Sequence, residues 1–159
     1  MKNFKFFVAS AVLALMMVPS VFAQTKANFA GTWAFNQSKS TQSEFRMAAD
    51  KLVVTQDANT LAVERTSQFG PQNEKFTLDG KECSNPGFGE SIRKSTVTFS
   101  ADGKVMTINS VTPFEWEGQK SEFKSSEVWK LTPEGQLSIE NTFNGQQGEM
   151  KSTAVYDKK

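Results

Sequence analysis

The stretch Ser125-Ser126-Glu127-Val128-Trp129-Lys130-Leu131 puts a carboxylate among large apolar groups. A two-residue period gives Phe123, Ser125, Glu127, Trp129 and Leu131 one common face. Upstream, "TLAVERTSQ" gives Leu61, Val63, Arg65 and Ser67 a shared parity, so a guanidinium faces the same kind of interior. An unpaired carboxylate in an apolar interior either neutralises or finds a cation. Either Glu127 and Arg65 pair, or Arg65 receives the carboxylate of an amphipathic molecule, which a planar guanidinium suits. A third arrangement leaves both groups at a hydrated rim, because one bulge reverses the parity of everything beyond it.

Most hydrolytic chemistry is excluded by one absence. The chain has no histidine, which rules out Ser-His-Asp and Cys-His nucleophiles and removes the commonest metal ligand. Ser91 with Lys94 and Ser121 with Lys124 match Ser-x-x-Lys, but on strands residues three apart point to opposite faces. No two carboxylates are set across a cleft as glycosidic chemistry needs. The expectation is a protein that is not an enzyme, with no catalytic residues, no metal and no cofactor. Cys83 is the single cysteine, so no intrachain disulfide forms; it reads either as a partly buried thiol without function or as a site of intermolecular or redox chemistry.

The N-terminal segment MKNFKFFVASAVLALMMVPSVFAQ has Lys2 and Lys5, an apolar run from Phe6 to Val18 and the small-x-small ending Val21-Phe22-Ala23. This is the layout of a secretory signal peptide, and the run is too short for an ordinary membrane span. Cleavage is expected after Ala23, which makes residues 1–23 the signal and 24–159 a single domain, periplasmic or secreted and soluble. The cleaved chain keeps 16 basic residues against 17 acidic ones. A balance so near neutral offers no footprint for nucleic acid or an anionic bilayer.

Nearly every later segment reads as strand or turn. "FAGTWAFN" puts Trp33 and Phe35 on one side. A polar stretch leads into "EFRMAAD", where one short helix is expected near 43–49. Hairpins follow: "DKLVVTQ" with "TLAVERTSQ", "IRKSTVTFS" with "KVMTINSVTPFEWEG", and "SEFKSSEVWKLT" with "QLSIENTFN", their turns marked by Asp57-Ala58-Asn59, Asp102-Gly103 and Pro133-Glu134-Gly135. Met106, Ile108, Ser110, Thr112, Phe114 and Trp116 keep one parity along a strand long enough to bend, while Glu115 and Glu117 fall on the wet side. The segment from Lys81 to Glu90 is rich in Gly and Pro and reads as a loop carrying Phe88. The fold class is therefore all-β: an antiparallel up-and-down meander of eight to ten strands, closed into a barrel that hides its edges.

At Gly31-Thr32-Trp33 the chain resembles the start of a lipocalin, whose first strand opens with Gly-x-Trp just after a secretory signal. The run "GTWAFNQSKS", the two "DGK" turns and the ending "VYDKK" are similar to a group of bacterial secreted lipocalin-like proteins. The resemblance implies a calycin-type barrel around an apolar cavity, with Gly31 and Trp33 as the structural motif. It also implies an arginine near the last strand packed over the tryptophan; this chain has lysines there, Lys151, Lys158 and Lys159.

The inward parities collect aromatics interleaved with polar groups. Arg65, Ile108, Phe114, Trp116, Phe123, Glu127, Trp129, Asn141 and Phe143 are the candidate residues for holding a small hydrophobic or amphipathic ligand in the lumen. The competing expectation is a filled barrel without a ligand that meets a protein partner through loop 81–90.

Overall fold

The computed structural model describes residues 25–41, 48–116, 118–145 and 148–159, without the side chain of Trp116. The helix expected near 43–49 falls largely on 42–47, outside the described residues.

Ten antiparallel strands form one sheet: β1 (Gly31–Phe35), β2 (Lys51–Gln56), β3 (Thr60–Ser67), β4 (Gly70–Thr77), β5 (Cys83–Pro86), β6 (Ile92–Phe99), β7 (Val105–Trp116), β8 (Gln119–Leu131), β9 (Leu137–Gly145) and β10 (Gly148–Lys158). The order β4-β3-β2-β1-β10-β9-β8-β7-β6-β5 is a meander that closes on itself where β10 returns to β1. The ladder ends between β4 and β5, so the barrel is nearly closed. Side chains span this seam: Asn85 Oδ1 accepts from the Lys75 amide at 2.7 Å, and Gln72 Nε2 donates to the Pro86 carbonyl at 3.3 Å. Strand β5 lies inside the Lys81–Glu90 segment, which the Gly/Pro content marked as loop throughout. Outside the sheet, Gln37–Lys39 makes one 3-10 turn whose first residue follows a capping Asn36. No helix among the described residues is long and apolar enough to cross a membrane.

Alternation places Leu52, Val54, Leu61, Val63, Phe76, Val97, Met106, Ile108, Trp129, Leu137, Ile139 and Tyr156 inward, all buried. Leu131 keeps the inward parity of β8 but is 41% exposed: it pairs with the buried Leu137 of β9, while β7 begins at Val105, opposite Lys130, and leaves it unflanked on that side.

That end is closed by the segment before β1. Phe29 is fully buried, meets Trp129 edge-on at 5.9 Å and gives its carbonyl to Trp33 Nε1 at 2.9 Å. The Ala27 amide bonds the Gly103 carbonyl at 2.8 Å, which ties the segment to the turn between β6 and β7. Gly103 has φ 72° and a Cβ there would meet the Thr25 carbonyl at 2.9 Å, so that turn needs glycine. The cation over the motif tryptophan is Lys158, its Nζ 5.5 Å from the Trp33 ring centre. Gly31 makes room for it: with φ 147°, a Cβ would crowd Lys158 Cε at 3.1 Å. Lysine thus supplies the charge that the resemblance assigns to arginine, as a point charge and not as a stacked plane.

Replacing Phe29 by Ala should remove the plug and lower stability by about 3–5 kcal/mol. Phe69→Ala, at a turn residue that is 74% exposed, should change it by no more than about 0.5 kcal/mol. Urea unfolding of the two variants checks the contrast.

Candidate functional site

The lumen has two halves, set by the register of β7, β8 and β9. Met106, Trp129 and Ile139 form one inward row, Ile108, Glu127 and Asn141 the next, and Ser110, Ser125 and Phe143 the one above. Toward the plugged end the rows are apolar and packed; toward the other end they turn polar and then aromatic. Glu127 sits at the change.

Arg65 reaches this row from the opposite wall. In the strand order β3 and β8 lie half a circuit apart, and Arg65 NH2 donates to Glu127 Oε2 at 2.8 Å across the lumen. The same carboxylate oxygen accepts from Trp129 Nε1 at 2.8 Å, and the guanidinium lies 5.7 Å from that indole's centre. Arg65 Nε also donates to Glu74 Oε2 at 2.6 Å. Glu74, whose side chain is 1% exposed, binds Arg93 NH2 through its other oxygen. The result is one chain of alternating charge, Arg93–Glu74–Arg65–Glu127, that runs across the seam from β6 to β4, on to β3, and through the lumen to β8.

The electrostatics follow from this packing. Burial pushes the Glu127 carboxyl up, but the Arg65 charge, the hydrogen bonds from Arg65 and Trp129, and the Arg93 charge outweigh it and hold the group below the ordinary range. Burial lowers the Arg93 guanidinium, with Glu127 opposing; an arginine stays charged regardless. Glu74 and Arg93 were missed in the sequence, although Glu74 shares the parity of Phe76 and Leu78, and Arg93 that of Val97 and Phe99.

Above the charged chain the wall is aromatic. Phe114 and Phe123 stack at 4.0 Å with planes 10° apart, and Phe143 lies 5.3 Å from Phe123. All three are half-buried. Met150, paired with Phe143 on the inward parity of β10, is 53% exposed at the same end. Asn141 sits beside Glu127 and donates to the Ile139 carbonyl at 3.4 Å. Of the nine residues proposed from parity, Phe114, Phe123, Phe143, Asn141, Arg65 and Glu127 surround the upper half. Ile108 and Trp129 belong to the packed half and form its floor. The side chain of Trp116 lies outside the described ones.

A depression of about 430 Å³ lies elsewhere. Its lining is mostly of outward parity, Glu82, Lys94, Thr96, Asn109, Val111, Lys124, Ser126 and Asn144, with the inward-parity Ser95, Ser110 and Ser125 between them, so it runs along the outer face of β6, β7 and β8. Cys83 is half-buried, with its thiol donating to the Ser95 carbonyl at 3.3 Å. Among the described residues no cluster of three His, Cys, Asp or Glu could hold a metal ion.

No family model and no curated protein matches the sequence. Solved structures match in fold. The zebrafish ileal bile acid-binding protein complexed with cholic acid superposes with a TM-score of 0.59 at 17% identity, over 82% of this chain and 98% of that one. The REP1-NXSQ fatty acid transporter, in a point-mutant form, gives 0.55 at 13% identity, over 82% and 97%. The chain therefore shares the fold of these proteins, a nearly closed antiparallel β-barrel, the architecture that the strand layout and the Gly-x-Trp opening led one to expect.

The charged chain makes stability depend on pH. Glu127 has a folded value below its unfolded one, about 4.3 for an ordinary Glu, so its contribution is complete above that value and is lost as pH falls through the lower folded one. Wild-type unfolding free energy should fall as the pH drops below about 5. Glu127→Gln, about 3 kcal/mol less stable at pH 7 because Arg65 loses a buried partner, should show a shallower fall over the same range.

Proposed function

We propose that this protein is an exported barrel that holds a small amphipathic molecule in the upper half of its lumen without transforming it. The observation that carries the reading is the pairing of a half-buried aromatic wall, Phe114, Phe123 and Phe143, with a polar floor made by the Arg65–Glu127 bridge. An apolar body would lie against the rings and a polar end would reach the floor, the usual division of labour in a small-molecule site. Two proteins of like fold support it: one was solved with cholic acid and the other is a fatty acid transporter. Export rests on the basic start, the apolar run and Val21-Phe22-Ala23. The packed lower half limits the ligand to what the upper half can take.

A second reading has its own observation. Phe88, in the turn between β5 and β6, is 62% exposed, and Phe69 projects at the same end of the barrel. A filled barrel contacting a protein partner through loop 81–90 would use such a side chain.

Native mass spectrometry of the protein isolated from its own compartment separates the two. The binding reading expects a stoichiometric adduct released on denaturation, and Phe123→Ala should weaken its retention roughly 10- to 100-fold, the value of one buried aromatic side chain. A clean mass that survives incubation with a lipid extract would leave the interaction reading in its place.

A further inference from the structure

We infer that the polar end of the ligand is an uncharged oxygen, a hydroxyl or carbonyl, and that the site discriminates against carboxylates. This rests on the amphiphile-binding reading above. The inward faces of the upper lumen carry four charged side chains among the described residues, Arg65, Arg93, Glu74 and Glu127, and these cancel. Both guanidinium groups already face a carboxylate: Arg65 bridges Glu74 and Glu127 at 2.6 and 2.8 Å, and Arg93 binds Glu74. A carboxylate brought onto this floor would be a third anion for two cations, in a place where water is largely excluded, and an uncompensated buried charge is costly.

The hydrogen-bond count is not balanced in the same way. Two guanidinium groups carry five N–H donors each, and the contacts to Glu74 and Glu127 engage Nε and NH2 of Arg65 and NH2 of Arg93. The Arg93 Nε is buried without a hydrogen-bond partner beneath this surface, whereas the Arg65 side chain keeps 15% of its exposure and carries further N–H groups beyond Nε and the one given to Glu127. Beside the floor stand Ser125 and Asn141, polar and uncharged, and Ser110, whose hydroxyl is shared with Ser95 at 2.8 Å. A surface that is neutral in charge and rich in donors is matched by a neutral acceptor. It also does not become anion-binding through loss of Glu127 to protonation near neutral pH, because Arg65 and Trp129 hold that carboxyl ionised.

The test compares 1-dodecanol with dodecanoate at pH 7, which differ only at the polar end, by calorimetric or tryptophan-fluorescence titration of the cleaved chain. Dodecanol is expected to bind at least about tenfold more tightly. Glu127→Gln gives the floor a net positive charge and should reverse the order; the wild-type comparison decides alone if that variant does not fold. Tighter binding of dodecanoate to the wild type, abolished by Phe123→Ala, would overturn the neutral-head inference and leave the site standing. Failure of both probes to bind, or binding of both unaffected by Phe123→Ala, would instead remove the site and the inference with it.

Discussion

The ion chain from Arg93 to Glu127 is the constraint around which the barrel is arranged. A meander closed by hydrogen bonds needs every strand paired, and here β4 and β5 are not. The Glu74–Arg93 contact bridges that gap from β4 to β6, next to the bonds from Asn85 and Gln72. From the same carboxylate the chain continues through Arg65 to the far wall. One set of charges therefore joins the two sides of the seam and the two sides of the lumen. Each member is buried enough that removing its partner would be costly, while the set as a whole carries no net charge.

Strand lengths explain where the barrel is open. β7 and β8 are 12 and 13 residues long, whereas β2 and β3, half a circuit away, have 6 and 8. The long hairpin rises above the short strands, so the inward residues near its tip, Phe114 and Phe123, have no opposite wall against which to pack fully. They stack on each other and on Phe143 instead. At the other end the segment before β1 crosses the opening, and Phe29 fills the space with Trp33 and Trp129 around it.

Much of this was legible in alternation alone. Parity turned Arg65 and Glu127 inward and grouped Phe114, Phe123 and Phe143, because a strand with one buried face repeats every two residues. Parity says which face a side chain takes but not which strand stands opposite. The charges of Glu74 and Arg93 become partners only once closure brings β4 beside β5 and β6, a relation with no local signature. Strand β5 was hidden for a different reason: Cys83-Ser84-Asn85-Pro86 has neither alternation nor β-branched residues, and its place in the sheet comes from pairing with β6. Leu131 shows the opposite failure, a correct parity at a position that β7 no longer flanks, although its partner Leu137 on β9 is buried. The plug was readable only in part: Phe29 shares the parity of Trp33 and Phe35, but residues 25–30 form no regular element, and their crossing of the barrel end has no local signature.

The packed half of the lumen also determines what the open half can be. Trp129 is fixed on both sides, by Phe29 edge-on and by the row it shares with Met106 and Ile139. Its Nε1 holds one oxygen of Glu127, and that oxygen in turn orients Arg65. The floor's polar groups are thus positioned by the core before anything enters, so little ordering is left to a ligand's polar end. The wall above is different: three half-buried phenylalanines and an exposed methionine are held by one another more than by the core, and can adjust to an apolar body of varied shape. A rigid, charge-balanced floor under an adaptable apolar wall selects by head group and tolerates differences in the tail.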